Sequence, residues 1–244
     1  MTTRLRKIAL KLIRFWSIFY LIILNFVTFR FASLKLVLRN LSLSSSQNWQ
    51  DLYALAFFFR RGLLNPKGYF IDFGATNGVS LSNSLIFERH FGFNGILAEP
   101  AKIWHADLVL NRQCAISFKC VWRASGENLE FNEASNPDLS GIASTSNQRS
   151  DLIRQTYLVE TISFNDLLNE NNAPSRMQML SIDTEGSEFE ILSSLDHMKY
   201  QFDMIICEHN YSKNRKQIRQ LLEANGYHRK FLLVSFWDDW YFLE

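Results

Sequence analysis

Two groups of acidic and small residues in this chain are spaced for chemistry. The first sits at the end of an aromatic and branched run, Tyr69 to Phe73, of the kind that forms a buried strand. Asp72 lies near its end, followed by Gly74, Ala75, Thr76, Asn77 and Gly78, with Ser82 and Asn83 a little further on. A helical stretch is expected from near Ser80. Strand, glycine turn and helix make the opening of a nucleotide-binding βαβ unit. Gly74 and Gly78 lack a Cβ, so the backbone can turn tightly there and approach a ligand. A second strand, Gly95 to Glu99, ends in an acid 25 residues after Gly74. A carboxylate in that place can accept hydrogen bonds from both hydroxyls of a ribose.

The identity of the nucleotide follows from charge. A dinucleotide fingerprint is G-x-G-x-x-G, which holds a pyrophosphate on backbone N–H groups. Here the spacing is D-x-G-x-x-x-G, Thr76 takes the middle position, and Asp72 would point towards the phosphates. A carboxylate beside a pyrophosphate is unfavourable, whereas one beside a cationic amino-acid end is favourable. S-adenosylmethionine has an ammonium, a sulfonium, a ribose and no phosphate, so the stretch reads as a methyl-donor site. Two alternatives stand beside this reading. One is a strand-turn-helix with no ligand, since short glycine motifs recur by accident. The other is an NAD-dependent oxidoreductase, disfavoured by Asp72 and Thr76.

The second group lies in Met177 to Glu190, MQMLSIDTEGSEFE. Met179, Leu180 and Ile182 mark a buried strand ending at Asp183, with Glu185 and Gly186 in the turn that follows. Met204 to Cys207 forms a further strand, ending at Glu208-His209-Asn210. Asp72, Glu99, Asp183, and Glu208 with His209 thus stand at the ends of four separate strands, an arrangement that points to a polar ligand at one edge. A methyl-donor site that must deprotonate its acceptor benefits from a general base. His209 is the first candidate because its pKa suits the task, and Asp183 or Glu185 is the second. A structural loop histidine is the alternative for His209. The acids could surround a divalent cation, but their spacing does not demand one, and no metal is expected.

These groups need elements to position them. A helix runs through Leu52, Leu55, Ala56 and Phe59, and the turn Asn65-Pro66-Lys67-Gly68 leads into the first strand. Pro100 opens a helix to Asn111, and Ile116 to Trp122 alternates as a third strand. Leu129 to Glu133 is expected to pair back as a hairpin. The polar stretch 134 to 151 is suited to a lid. Tyr157 to Thr161 reads as a strand, and Ser163 as the cap of a short helix. A helix from about Lys213 stops at Asn225-Gly226, and strands near His228 to Val234 and Trp237 to Leu243 complete the sheet. Strands alternating with helices give an α/β sandwich with its ligand at the switch point.

The chain has 244 residues, 47% of them hydrophobic, enough for one domain of normal size plus an appendage. Its net charge of +2, with no long Lys/Arg block, gives no track for nucleic acid. Cys114, Cys120 and Cys207 lack metal-ligand or disulfide spacing and are expected to be reduced, buried thiols of a cytosolic domain. Residues 1–46 differ from the rest. Arg4, Lys7, Lys11 and Arg14 fall on one helical face, and Phe15 to Phe29 carries no charge. That uncharged run is roughly 22 Å as a helix against roughly 30 Å of hydrocarbon. A single span with a cytoplasmic N-terminus would carry residues 47–244 out of the cytosol. An in-plane attachment to the cytoplasmic face keeps a methyl-donor pocket supplied. The alternative is a helix buried against the domain, and Ser42 to Ser46 reads as a linker between the two parts.

With these residues in view, SQNWQD, YFIDFGATNGVSLSNS, the LAEP strand end and LSIDTEGSEFEIL together resemble the FkbM-type S-adenosylmethionine-dependent methyltransferases. The resemblance covers about Ser46 to Glu244. It implies a class I methyltransferase fold, a Rossmann-like seven-stranded mixed sheet with helices on both faces and an antiparallel last strand. It also implies S-adenosyl-L-methionine as cofactor and a hydroxyl on a sugar, glycolipid or secondary metabolite as acceptor. By matching position, Asp72, Gly74, Gly78, Ser82 and Asn83 would border the methionine part, with Ala75, Thr76 and Asn77 in the same turn. Glu99 would hold the ribose, Val121 and Trp122 would border the adenine, and Asp183 and Glu185 would lie near the transferred methyl. Asp72 stands where the family often has Glu, and residues 1–46 lie outside the shared domain. A non-catalytic membrane adaptor with a degenerate nucleotide pocket remains the reading from another class.

Overall fold

Residues 3–28, 30–145 and 150–244 are described by a computed structural model. The helices are α1 (Thr3–Val27), α2 (Phe31–Arg39), α3 (Gln50–Arg61), α4 (Leu85–Phe91), α5 (His105–Asn111), α6 (Phe164–Glu170), α7 (Glu188–Ser194) and α8 (Arg215–Ala224). The apolar run at Tyr69–Phe73 becomes strand β1, an interior strand of a seven-stranded sheet. On one side lie β2 (Asn94–Ala98) and β3 (Ala115–Ser117), both parallel. On the other lie β8 (Arg176–Ile182) and β9 (Gln201–Glu208), also parallel. The last strand, β11 (Asp238–Leu243), inserts antiparallel between β9 and β10 (Tyr227–Lys230), so the sheet is mixed as expected.

Alternate residues of the central strands face opposite sides, so both faces must be covered. Ile71, Leu180 and Ile205 pack with Phe164, Ile191 and Ile218 of α6, α7 and α8. Phe70, Met179 and Met204 pack with Phe58, Phe87 and Leu108 of α3, α4 and α5. Every loop that follows a parallel strand therefore emerges at one edge, and that edge gathers Asp72, Glu99, Asp183 and Glu208.

The sequence expectation fails in several local places, each for a physical reason. The third strand is not continuous. The chain breaks at Phe118-Lys119 and leaves the large sheet, and β4 (Cys120–Trp122) joins a second sheet ordered β4, β7 (Ile153–Ser163), β5 (Asn128–Ala134), β6 (Gly141–Ile142). There β5 pairs antiparallel with β7 rather than folding back on its predecessor. The helix expected from Ser80 starts at Leu85, because Asn77 Oδ1 accepts the N–H groups of Val79 (2.9 Å) and Ser80 (2.8 Å) in a turn. The expected lid is partly ordered: Pro137–Leu139 is a short 3₁₀ turn and β6 follows, while residues 146–149 lie outside the described residues. Ser163 caps α6 as read, accepting Asp166 N–H at 3.1 Å.

The junction at Ser42 to Ser46 is not a linker. Ser44 and Ser46 hydroxyls each donate to Asp51 Oδ1 at 2.7 Å, and Ser45 N–H donates to Oδ2 at 3.1 Å. Arg14 leaves the basic stripe altogether. Its guanidinium donates to the carbonyls of Ser46 (2.6 Å) and Gln47 (2.7 Å) and stacks over Trp49. The side chains of Arg4 and Lys7 lie outside the described residues, and Lys11 is exposed. Tyr53 OH donates to the Ser17 carbonyl, and Leu21 and Val37 are buried with α3. α1 is thus two-faced. Arg14, Ser17, Leu21 and Asn25 face the protein, and Leu12, Phe15, Phe19 and Phe26 face out. By length and composition Ile8–Val27 is also sufficient to cross a membrane.

Candidate active site

The loops after β1 and β2 face each other across a cleft with about 900 Å³ of empty space. Glu99 is its most firmly held side chain. It is buried, Oε2 accepts the Thr76 N–H and Oε1 accepts the Ala101 N–H, both at 2.8 Å. Burial outweighs those two bonds and pushes its carboxyl up to about 7, with the charges of Asp183 and Asp138 adding to the rise. Thr76 can offer its N–H in this way because its backbone is left-handed, with φ 48°.

Asp72 lies in the same cleft and is also buried. Burial raises its pKa, while hydrogen bonds from Ser84 (2.6 Å) and Ser181 and the nearby charge of Arg112 oppose the rise. Arg112 comes from the end of α5 and is fully enclosed. It donates to the Gly78 carbonyl (3.0 Å), Ser82 (3.3 Å) and Ser84 (3.0 Å) and pairs with Glu88. The loop after β1 is therefore strapped from behind to α4 and the end of α5 by one guanidinium. Asn83 donates to Ser181 at 3.1 Å, and its enclosed Oδ1 has no partner among the described residues. An unsatisfied acceptor beside Asp72 is suited to a cationic ligand group.

Ala75, Ser82 and Val121 also line this cleft, and three expected residues do not. Gly78 packs away from it, where a Cβ would come within 2.6 Å of Arg112 and 2.8 Å of Leu108. Asn77 is used in its turn. Trp122 is buried in the core of the small sheet, and Cys120, Val121 and Phe131 take the edge instead. Gly74 does line the cleft, but the requirement for glycine comes from the protein. With φ +77°, a Cβ there would overlap the carbonyl oxygen of Asp183.

A second cavity, with about 1230 Å³ of empty space, adjoins the first and shares Asn83, Asp138 and Asp183 with it. Asp183, Glu185 and Glu208 each bring a carboxylate oxygen here, all within 4.8 Å of one another. The loop is held by Glu188, whose Oε1 accepts the N–H groups of Thr184 (3.1 Å) and Gly186 (3.0 Å) and the Thr184 hydroxyl. That grip fixes Glu185 in the left-handed region at φ 56°. All three pKa values are raised, first by the surrounding protein and then by neighbouring carboxylates. Asp183 remains open to water from the cleft, so its rise is smaller than full enclosure would give. Among the described residues none of the three is ion-paired with a lysine or arginine. Such a trio can share protons, accept one from a substrate or surround a hard cation.

His209 is not brought into either of these cavities. Its Nδ1 accepts the Tyr211 N–H at 2.9 Å, and its Nε2 faces Asp239 at 3.7 Å. Burial lowers its pKa against the pull of Asp239, which is itself gripped by Arg215 and Arg229. Nε2 has no hydrogen-bond partner among the described residues, and His209 lines a third cavity with Glu185 and Glu208, so the base candidates in the cavity that adjoins the cleft are Asp183 and Glu185. Arg112, Asp138, Glu208 and Asp238 were not among the expected site residues. Glu208 was visible as a strand-end acid. Arg112 carries no signal, since its partners lie 24 to 34 residues away.

The FkbM methyltransferase domain matches residues 72–229, more than half of the chain. No curated protein matches significantly. Among solved structures, methyltransferase FkbM from Methylobacillus flagellatus KT is 18% identical with a TM-score of 0.46, over 84% of this chain and 58% of that protein. Precorrin-6y C5,15-methyltransferase from Geobacter metallireducens GS-15 is 12% identical with a TM-score of 0.39, over 72% of this chain and 71% of that one. This chain therefore spans little more than half the length of the Methylobacillus protein.

Proposed function

This chain belongs to the FkbM methyltransferase family, and from that premise we propose that it methylates a hydroxyl oxygen using S-adenosyl-L-methionine. The acceptor class is a sugar, a glycolipid or a secondary metabolite. The observation that carries the reading is Glu99, buried at the cleft edge with a backbone N–H on each oxygen, beside a second cavity lined by carboxylates. Each Glu99 oxygen keeps a lone pair for a ribose hydroxyl. Asp72 and the free Oδ1 of Asn83 suit an ammonium, and Val121, Phe131 and Ile142 suit an adenine face. The donor supplies an electrophilic methyl on a cationic sulfur. Asp183, shared by both cavities, would accept the proton that the acceptor hydroxyl gives up on methylation. Burial raises its basicity, as do the like charges of Asp238, Glu188 and Asp72, against a hydrogen bond from Glu208.

The same reading places α1 flat on the cytoplasmic face of a membrane. Crossing the bilayer would pull Arg14 from its two carbonyl partners and carry Ser17 and Asn25 into hydrocarbon. Calorimetry on the full chain tests the function. S-adenosyl-L-methionine is expected to bind and NAD is not. Binding of NAD alone, or of neither, would overturn the assignment.

A further inference from the structure

We propose that the acceptor is the uncharged glycosyl headgroup of a membrane-anchored glycolipid, taken up between α1 and the carboxylate trio. This rests on the methyl-transfer reading above. The second cavity has two unlike walls. One is polar, with Asp183, Glu185, Glu208 and Asn210 around the indole of Trp237. The other is apolar and comes from α1, through Ala9, Leu10 and Ile13. Carboxylates and amides accept and donate to sugar hydroxyls, and an indole offers a face for a sugar ring. Among the described residues no lysine or arginine lines this cavity to pair a phosphate, so a phosphorylated headgroup does not fit.

The outer face of the same helix says where such a molecule comes from. Leu12 (64% exposed), Phe15 (68%), Phe19 (44%) and Phe26 (60%) form an apolar stripe facing away from the protein. They recur at helical spacing from residue 12 to residue 26 of α1, which is the reverse of an ordinary surface helix. Residues 1–50 contain eight basic residues and no acid. Lys11, Arg30, Lys35 and Arg39 are exposed around the stripe. Apolar side chains bordered by lysine and arginine complement an anionic bilayer surface. One helix therefore has its outer face against the lipid and its inner face on the acceptor cavity. A headgroup reaching around the N-terminal half of α1 meets Asp183 while its acyl chains stay in the bilayer.

The test uses the full chain and vesicles of phosphatidylcholine and phosphatidylglycerol, 3:1, with or without monoglycosyl diacylglycerols. The protein is expected to float with these vesicles, to be released by salt, and to bind pure phosphatidylcholine far more weakly. The double variant Phe15→Glu/Phe19→Glu should bind vesicles at least tenfold more weakly yet keep its affinity for S-adenosyl-L-methionine, which shows that it is folded. With methyl-labelled donor, label should enter the glycolipid fraction and not free methyl glycosides or phosphatidylglycerol. Equal labelling of free glycosides, labelling of phosphatidylglycerol, or no labelling of glycolipid with donor binding intact would overturn the proposal. So would a dimer in solution that the double variant dissociates, since a second copy would then cover the stripe. Loss of donor binding by the unaltered chain would instead sink the methyl-transfer reading itself.

Discussion

The two halves of the cleft solve opposite electrostatic problems. In the donor half, each buried acid is fixed by hydrogen bonds, although burial still raises its pKa. Glu99 holds two backbone N–H groups, and Asp72 has two hydroxyls and the nearby charge of Arg112. In the acceptor half, Asp183, Glu185 and Glu208 crowd together without a cation among the described residues, and all three are pushed towards their neutral forms. A carboxylate fixed by donors holds a ligand in place, whereas one among like charges is eager for a proton. On the proposed reading, the first loop pair binds the donor and the second moves the proton.

The largest expected effect breaks that hydrogen bonding. Arg112→Ala removes an enclosed guanidinium from Glu88, Ser82, Ser84 and the Gly78 carbonyl and leaves buried carboxylates unopposed. Breaking one partner of a buried ionic group costs about 3–5 kcal/mol. For a chain of this size that is a fall in melting temperature of roughly 6–20 °C. A melting curve within about 2 °C of the unaltered protein would show that the donor half does not depend on this strap.

Next comes the proton acceptor. Asp183→Asn is expected to lower kcat by about 10²-fold or more at saturating donor, the usual scale of a lost general base. An unchanged kcat would move the base to Glu185 or Glu208 and erase the difference between the two halves at Asp183.

The two halves also differed in how far the sequence revealed them. The donor loops are local. Strand, glycine turn and strand-end acid lie within 31 residues, so Asp72, Gly74 and Glu99 could be named from spacing alone. The α/β sandwich followed from the alternation of buried runs and helices, and the seven-stranded mixed sheet from the family resemblance. Long-range dependencies were illegible. Arg112 binds groups far away in sequence, and Gly74 is a glycine because of the Asp183 backbone rather than a ligand. The small sheet was missed because Ile116 to Trp122 alternates across a break, and alternation does not say which sheet a strand joins. Arg14 reads as one of a basic row until its two carbonyl partners are seen.

Glu99 sharpens the comparison from the binding side. Glu99→Ala is expected to weaken S-adenosyl-L-methionine by about 2 kcal/mol, near 30-fold, through loss of charge-assisted bonds to the ribose. Its pKa of about 7 adds a pH dependence. The ionised form accepts hydroxyls better, so donor affinity should rise between pH 6 and pH 8, and the rise should vanish in Glu99→Gln. The stability of the empty protein runs the other way. A carboxyl raised in the folded state contributes stability below its unfolded value of about 4.5, which is lost as pH climbs through about 7. Calorimetric affinity that is flat across pH 6–8 would mean that Glu99 is ionised throughout and held as firmly as its two N–H partners alone imply.

The smallest effect is expected at His209, the residue whose chemistry looked best in the sequence. A general base needs a free nitrogen within about 2.6–3.2 Å of the proton it takes. Here Nδ1 is occupied by the Tyr211 N–H, and Nε2 is directed at Asp239, which Arg215 and Arg229 hold in place. Glutamine at this position keeps a side-chain acceptor for the Tyr211 N–H. His209→Gln should therefore cost about 1 kcal/mol of stability and change kcat by less than about threefold, far below the loss of a base. The pH profile of kcat distinguishes the cases. If His209 only braces the loop after β9, the variant keeps the profile of the unaltered enzyme. A loss of about 10²-fold or more, with the acidic limb of that profile removed, would restore His209 as the base. It would also require its ring to turn from Asp239 into the acceptor cavity during the reaction.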